Sequence, residues 1–333
     1  MHESVRIIQD FFKSPKQLLI TTHTNPDGDA IGSTVGLACA LRSQGHTVSI
    51  VLPNTPPANL IAFLADESWF IAEGNAERLK EEVEKCDLVA TLDFNDLSRA
   101  GEIIQAALQE LQSPRFMWMV DHHIDPSDYA QWTFSDTKKS STCEMVWDIL
   151  SSMGWETSLS PLAANALYAG IMTDTGSFRF PSTTSSTHRA VAGLMEVGAE
   201  PHKVHEGIFD QNRLERLRLL SASLAHLKVL KSGKAVVFYI SLEEQRKIGL
   251  EKGDTEGFVN YGLSVEGISL SAFFIESEGF WKLSLRSKGD LDVNQMSRTL
   301  FNGGGHKNAA GGKFIGSIES AINAIEKYID ENN

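Results

Sequence analysis

Residues 23–29 read HTNPDGD and follow the apolar run LLITT (18–22), so one imidazole and two carboxylates share a turn at the end of a strand-like segment. A turn uses Asn, Pro, Gly and Asp for its backbone angles, but it does not need His23, Asp27 and Asp29 together. Three other segments repeat the theme. Asp93 lies at the end of DLVATLDF (87–94), Asp121, His122 and His123 end RFMWMVDHH (115–123), and Asp174 ends the helical PLAANALYAGIMTD (161–174). Taken singly, each has an ordinary explanation as a turn, a cap or a loop residue. Their joint placement at the ends of strands and a helix does not. Carboxylates and imidazoles without cysteine suit a hard to borderline divalent cation, Mn²⁺ or Mg²⁺. Five or six such donors are too many for one ion that must also hold water and substrate, so two ions are the simpler expectation.

A second signal is the glycine-rich stretch FNGGGHKNAAGG (301–312). Its small residues offer consecutive backbone N–H groups to an anion, and His306 with the upstream Arg286 of SLRSK could add charge-assisted hydrogen bonds. It is not a phosphate loop of the Gly-Lys-Ser/Thr type. Arg179 in GSFRF (176–180) follows Asp174 closely and is read either as a phosphate contact or as half of an ion pair. His188, His202, His205 and His226 have no partner spacing that suggests a ligand.

The elements that must position these groups alternate. Strand-like runs at 18–22, 47–53, 87–94 and 115–123 are separated by helical text at 30–45, 75–86 and 101–111, which predicts a doubly wound, mainly parallel α/β sheet with helices on both faces. In such sheets ligands sit outside the carboxyl ends of the strands, where the first three clusters stand. Helical text then dominates, and 213–230 reads as a helix running into a strand. From residue 234 strands return at 234–241, 268–277 and 280–288, the last two joined by a Glu-Gly turn, and a helix IESAINAIEKYID closes the chain. This second part predicts a smaller α/β domain with a mixed sheet. The expected division is a catalytic domain over 1–190, a helical connector over 191–229 and a substrate-binding domain over 230–333.

With 333 residues the chain is long for one domain. The net charge of −13 is concentrated in front: residues 1–210 hold 28 Asp+Glu against 14 Lys+Arg, whereas residues 211–333 hold 15 against 16. That balance argues against tracking a long duplex nucleic acid. No apolar run reaches the ~20 residues of a membrane helix, and the start MHESVRIIQDFFKSP is an amphipathic helix, not a signal peptide. Cys39, Cys86 and Cys143 are expected as buried reduced thiols of a cytoplasmic protein.

With these motifs in order, the sequence resembles the DHH phosphoesterase superfamily over nearly its whole length: HTNPDGDAIGS, Asp93, Asp121-His122-His123, GIMTDTGSFRF and GGGHKNAAGG look like its successive motifs. The resemblance implies a first cation on His23, Asp27 and Asp93, and a second on Asp29, Asp93 as a bridge, His122 and Asp174, with Mn²⁺ first and Mg²⁺ as the alternative. It implies that His123 faces the scissile phosphate and that Asp121 orients the neighbouring imidazoles. It also implies that Arg286, Ser287, Gly303, Gly304, Gly305 and His306 grip the substrate; Arg179, read from its own position after Asp174, is a further substrate-binding candidate. The expected activity is hydrolysis of short oligoribonucleotides, releasing mononucleotides, and of 3′-phosphoadenosine 5′-phosphate in a cleft between the domains, by a water activated on two cations. The alternatives are a linear or cyclic dinucleotide phosphodiesterase, an inorganic pyrophosphatase or exopolyphosphatase and, last, a non-enzymatic nucleotide-binding module. Short single-stranded RNA or nucleotides are the expected partners, with no long duplex and no membrane, and a homodimer is the default by symmetry.

Overall fold

The computed structural model describes residues 3–331 apart from Asp66 and residues 111–115, and leaves out the side chains of residues 3–5 and of His306. It divides into two compact units, residues 1–211 and 212–333. The division falls within the stretch expected as a connector.

The first unit is a six-stranded sheet: β1 (Gln17–Thr21), β2 (Thr47–Leu52), β3 (Trp69–Ile71), β4 (Leu88–Leu92), β5 (Phe116–Asp121) and β6 (Trp132–Ser135), in the order β3-β2-β1-β4-β5-β6. Every neighbouring pair is parallel. The order reverses at β1/β4, the place where doubly wound sheets open a crevice. Its helices are α1 (Glu3–Phe11), α2 (Gly28–Ser43), α3 (Ala58–Ile61), α4 (Ala76–Lys85), α5 (Glu102–Gln109), α6 (Thr142–Met153), α7 (Pro161–Asp174), α8 (Ser185–Glu196) and α9 (Pro201–Phe209). Alternation along each strand sorts the core into two layers. Leu18, Ile20, Leu88, Ala90 and Val120 pack with Ile31 and Val35 of α2, Val146 of α6 and Leu167 of α7. Leu19, Val89, Met117 and Met119 face the other way, onto Leu79 and Val83 of α4 and Ile104 and Leu108 of α5.

Helix α2 lies unusually close to α7, and its sequence shows why. A Cβ on Gly28 would come within 2.4 Å of Thr173 Oγ1, one on Gly32 within 2.2 Å of the Ala166 carbonyl, and one on Gly36 within 2.5 Å of the Leu167 side chain. These glycines stand four residues apart, on one helix face. They bring the start of α2, with Asp27 and Asp29, against the end of α7, with Asp174.

The second unit comprises α10 (Leu214–Ala225), β7 (Lys228–Val229), β8 (Ala235–Ile240), α11 (Leu242–Ile248), α12 (Phe258–Gly262), β9 (Leu270–Ser277), β10 (Phe280–Ser287), α13 (Val293–Leu300), β11 (Gly304–His306), β12 (Ala309–Phe314) and α14 (Ile318–Glu331). Its sheet runs β11-β12-β10-β9-β8-β7 and is mixed, with β8 and β9 parallel and the other pairs antiparallel. The Glu278-Gly279 turn joins β9 to β10 as expected, with Gly279 at φ +82°.

The short strands β3, β6, β11 and β12 are not among the expected runs, whereas β7 is the strand that ends the expected helix-to-strand run 213–230. Three of them, β3, β6 and β11, have three or four residues and lie on a sheet edge, where alternation is too brief to register. β12 has six residues, AAGGKF, whose two glycines and central lysine hide a strand pattern. Cys86 and Cys143 are buried and Cys39 is half-buried. Among the described residues, no helix is long and apolar enough to cross a membrane.

Candidate metal centre

All six expected cation donors of the first unit meet at the carboxyl edge of the sheet. His23 follows β1, Asp93 follows β4, His122 follows β5, Asp27 and Asp29 flank the start of α2, and Asp174 ends α7. Three groups of donor atoms lie within 4.8 Å of one another: His23, Asp27 and Asp93; Asp29, His122 and Asp174; and Asp93, His122 and His123.

Asp93 is the hub. It is 2 % exposed and adopts φ +66°, a left-handed conformation that Asp tolerates better than most residues. Its N–H still donates to the Val120 carbonyl at 3.1 Å, so the turn leaves the strand without breaking the ladder. Asp93 Oδ2 lies 3.3 Å from His23 Nε2, and Oδ1 lies 3.6 Å from His122 Nε2. His122 Nε2 also stands 3.7 Å from Asp29 Oδ2 and 3.2 Å from Asp174 Oδ2. His23 Nε2 is 3.9 Å from Asp27 Oδ1.

The His23 ring has a definite tautomer. Its Nδ1 lies 2.9 Å from the Thr24 carbonyl, which can only accept, so Nδ1 carries the proton. In the neutral ring the lone pair on Nε2 then faces carboxylate oxygens, and lone pairs facing one another at such distances call for a cation between them. Neighbouring donors about 2.1 Å from an octahedral cation stand about 3 Å apart, close to the spacing found. The electrostatics agree. Burial, and then Asp29, Asp27 and Asp121, push the Asp93 carboxyl well above its ordinary value. Burial, followed by Asp29, Asp93 and Asp27, does the same to Asp174. The residues present fit divalent cations.

The remaining residues play other parts. Asp121 is fully buried, and both its oxygens go to His123: Oδ1 lies 2.7 Å from Nδ1, and Oδ2 accepts the His123 N–H at 3.0 Å. Orientation of two imidazoles was expected of it; among the described residues its carboxylate hydrogen-bonds to His123. Asp27 also caps α2, its Oδ1 accepting the N–H groups of Asp29 and Ala30. Asp29 is held at α6, where its Oδ2 accepts from Thr142 N at 2.6 Å and its Oδ1 from Cys143 N at 2.8 Å. The Thr142 hydroxyl donates to Asp93 Oδ1 at 3.0 Å. The sequence reading passed over Thr142. Its only signal is STCE (141–144), an N-cap pattern, with Ser141 Oγ accepting the Glu144 N–H.

Arg179 is exposed and its Nε donates to the Gly176 carbonyl at 2.7 Å, so it is not half of an ion pair among the described residues. It leaves a turn in which Gly176, Ser177 and Phe178 all have φ between +55° and +64°.

In the second unit, paired rungs run through Arg286 and Ala309 and through Ala309 and His306, setting the Arg286 and His306 backbones two strands apart. Arg286 is half-buried, its Nη1 donates to the Leu285 carbonyl, and burial lowers its pKa. The Ser287 hydroxyl donates to the Leu291 carbonyl and accepts from Asn308. The glycine stretch differs from the expected run of open amides. Gly303 N donates to the Ser297 carbonyl and Gly305 N to Asn294 Oδ1. Close packing accounts for Gly303, where a Cβ would fall 1.9 Å from the Gly311 carbonyl. The His306 side chain lies outside the described residues.

Comparison with known proteins adds independent findings. Residues 17–171 match the DHH family, N-terminal domain, and residues 232–331 match the DHHA1 domain. A relative from Thermus thermophilus named bifunctional oligoribonuclease and PAP phosphatase NrnA is 29 % identical, the match covering 99 % of this chain and 94 % of that protein. One of the same name from Bacillus subtilis is 27 % identical, with 88 % of each chain covered. The crystal structure of an exopolyphosphatase-related protein from Bacteroides fragilis superposes with a TM-score of 0.93 at 32 % identity, covering 99 % of this chain and 96 % of that one.

Proposed function

Because the chain belongs to the DHH family and carries both its N-terminal domain and a DHHA1 domain, we propose that it is a phosphoester hydrolase that trims short oligoribonucleotides to mononucleotides and hydrolyses 3′-phosphoadenosine 5′-phosphate. The observation that carries this reading is Asp93 set between His23 and His122, with Asp27, Asp29 and Asp174 around them. The relatives named oligoribonuclease and PAP phosphatase support the substrate class.

In this reading His23, Asp27 and Asp93 hold one cation, and Asp29, Asp93, His122 and Asp174 hold another, Mn²⁺ ahead of Mg²⁺. When bound, the cations supply Lewis acidity toward the phosphate and toward water. The chain's own residues do the rest. Asp93 offers one oxygen to each imidazole and so sets the spacing of the donor groups. Asp121 accepts from His123 Nδ1–H and so orients the ring; only the doubly protonated ring also carries a proton on Nε2, and in that form Nε2 donates it to the leaving oxygen or to the phosphate. Arg286, Ser287, the segment 303–306 and Arg179 are proposed to hold the rest of the nucleotide, Arg286 by charge-assisted hydrogen bonds.

A second reading, hydrolysis of polyphosphate, is favoured by the name of the Bacteroides fragilis protein. One panel separates the two: purified protein with Mn²⁺ and a labelled di- to pentanucleotide series, 3′-phosphoadenosine 5′-phosphate, cyclic dinucleotide, pyrophosphate and polyphosphate. We expect turnover of the short RNAs and of the phosphoadenosine, abolished by chelator and reduced about 10³-fold or more in Asp93→Ala. Turnover confined to the inorganic substrates rejects the nucleotide reading.

A further inference from the structure

Donors drawn from different elements are useful only if each carboxylate is aimed, and two of them are met by one residue that is no cation donor. Thr142 opens α6 and is fully buried. Its N–H donates to Asp29 Oδ2 at 2.6 Å and its hydroxyl to Asp93 Oδ1 at 3.0 Å. We propose that Thr142 is a positioning residue that aims Asp29 and Asp93 as a pair, an inference that rests on reading these carboxylates as cation ligands.

The geometry gives each bond a purpose. Asp29 takes two successive N–H groups at the start of a helix, one on each oxygen, where the helix dipole favours its charge. Each carboxylate oxygen has two lone pairs, so one remains on each for a cation. Asp93 differs, because it must face two ways: Oδ1 toward His122 Nε2 at 3.6 Å and Oδ2 toward His23 Nε2 at 3.3 Å. Rotation about its Cβ–Cγ bond would spoil both. The Thr142 hydroxyl takes one lone pair of Oδ1 and fixes that rotation.

Thr142 is itself held from behind. Ser141 caps α6 through Glu144 N. Glu144 in turn accepts from Ser140 N, Ser140 Oγ, Thr187 Oγ1 and Lys139 Nζ. The residues before Thr142 are therefore fixed, and its hydroxyl cannot follow a wandering carboxylate.

Thr142→Val removes the hydroxyl and keeps the backbone N–H and the side-chain shape, while Thr142→Ser restores the hydroxyl without the methyl. Mn²⁺ binding to the full chain is measured by calorimetry and by electron paramagnetic resonance, beside melting of the metal-free protein and steady-state kinetics. In Thr142→Val we expect Mn²⁺ affinity to fall about 10- to 100-fold. At saturating nucleotide kcat falls while KM moves less than about twofold. The metal-free melting point stays within a few degrees, and Thr142→Ser recovers the affinity. If Thr142→Val fails to fold, Thr142→Ala makes the same comparison in a smaller side chain. Wild-type Mn²⁺ affinity in the hydroxyl-less variant rejects the positioning role and leaves the cation reading intact. An equal loss in Thr142→Ser rejects it too, because the methyl would then be the cause. A wild-type protein that binds no Mn²⁺ rejects the cation reading and this inference with it.

Discussion

Glu144 shows how a side chain with no proposed chemistry can hold the site in order. It is 1 % exposed. Burial alone would raise its pKa, but hydrogen bonds, first from Ser140 and then from Lys139, outweigh burial and bring it to about 2. Its folded value thus lies below the ordinary 4.5, so its contribution to stability is present above pH 4.5 and is lost as the pH falls toward 2. Allowing for solvent screening, that contribution is about 2 kcal/mol at neutral pH. Glu144→Gln should therefore unfold at lower urea than the parent at pH 7, and the gap should close at acid pH. An equal gap at both would mean that packing, not charge, is lost. The sequence marks Glu144 only as the last residue of a cap pattern. Its partner Thr187 comes from α8, and that meeting is decided by tertiary packing.

At the scale of elements, the contact of α2 with α7 is the decisive one. Gly28, Gly32 and Gly36 are visible in the sequence at four-residue spacing, but their meaning depends on α7, which no local pattern pairs with α2. By contrast, β1, β2, β4 and β5 were legible from their apolar runs, and the donors at their ends from residue type. A methyl on Gly32 would gain about 1 kcal/mol of helix propensity. Its Cβ would sit 2.2 Å from the Ala166 carbonyl, a backbone atom with no room to retreat. Overpacking of this kind costs about 1–3 kcal/mol, so the clash wins. Gly32→Ala should lower the melting point and, by pushing α7 away, weaken Mn²⁺ binding through Asp174. Unchanged Mn²⁺ affinity in a destabilised variant would separate the helix contact from the site.

For the whole molecule, the excess of carboxylates in residues 1–210 sets the response to metal and pH. Asp93 and Asp174 have folded values raised above the unfolded ones. In the metal-free protein their favourable contribution is present below the unfolded value and is lost as pH rises through the folded one. A cation needs the same groups without protons, so its stabilisation grows over that rise. At 100 times its dissociation constant a ligand adds about 2.7 kcal/mol. Melting with Mn²⁺ and with chelator should therefore differ by several degrees at pH 8 and by less at pH 6. A larger gap at pH 6 would contradict the assignment of these carboxylates to a cation site. The uneven charge was plain from composition. The protonation pattern was not, because it depends on which acids are buried side by side.

The two anchored imidazoles are unequal in the face of mutation. His23 is steered by the peptide oxygen of Thr24, a partner that every amino acid at position 24 would still supply. His123 leans on the Asp121 side chain, which one base change can remove. Genetic drift can thus leave the first ring untroubled while the second stays hostage to its neighbour.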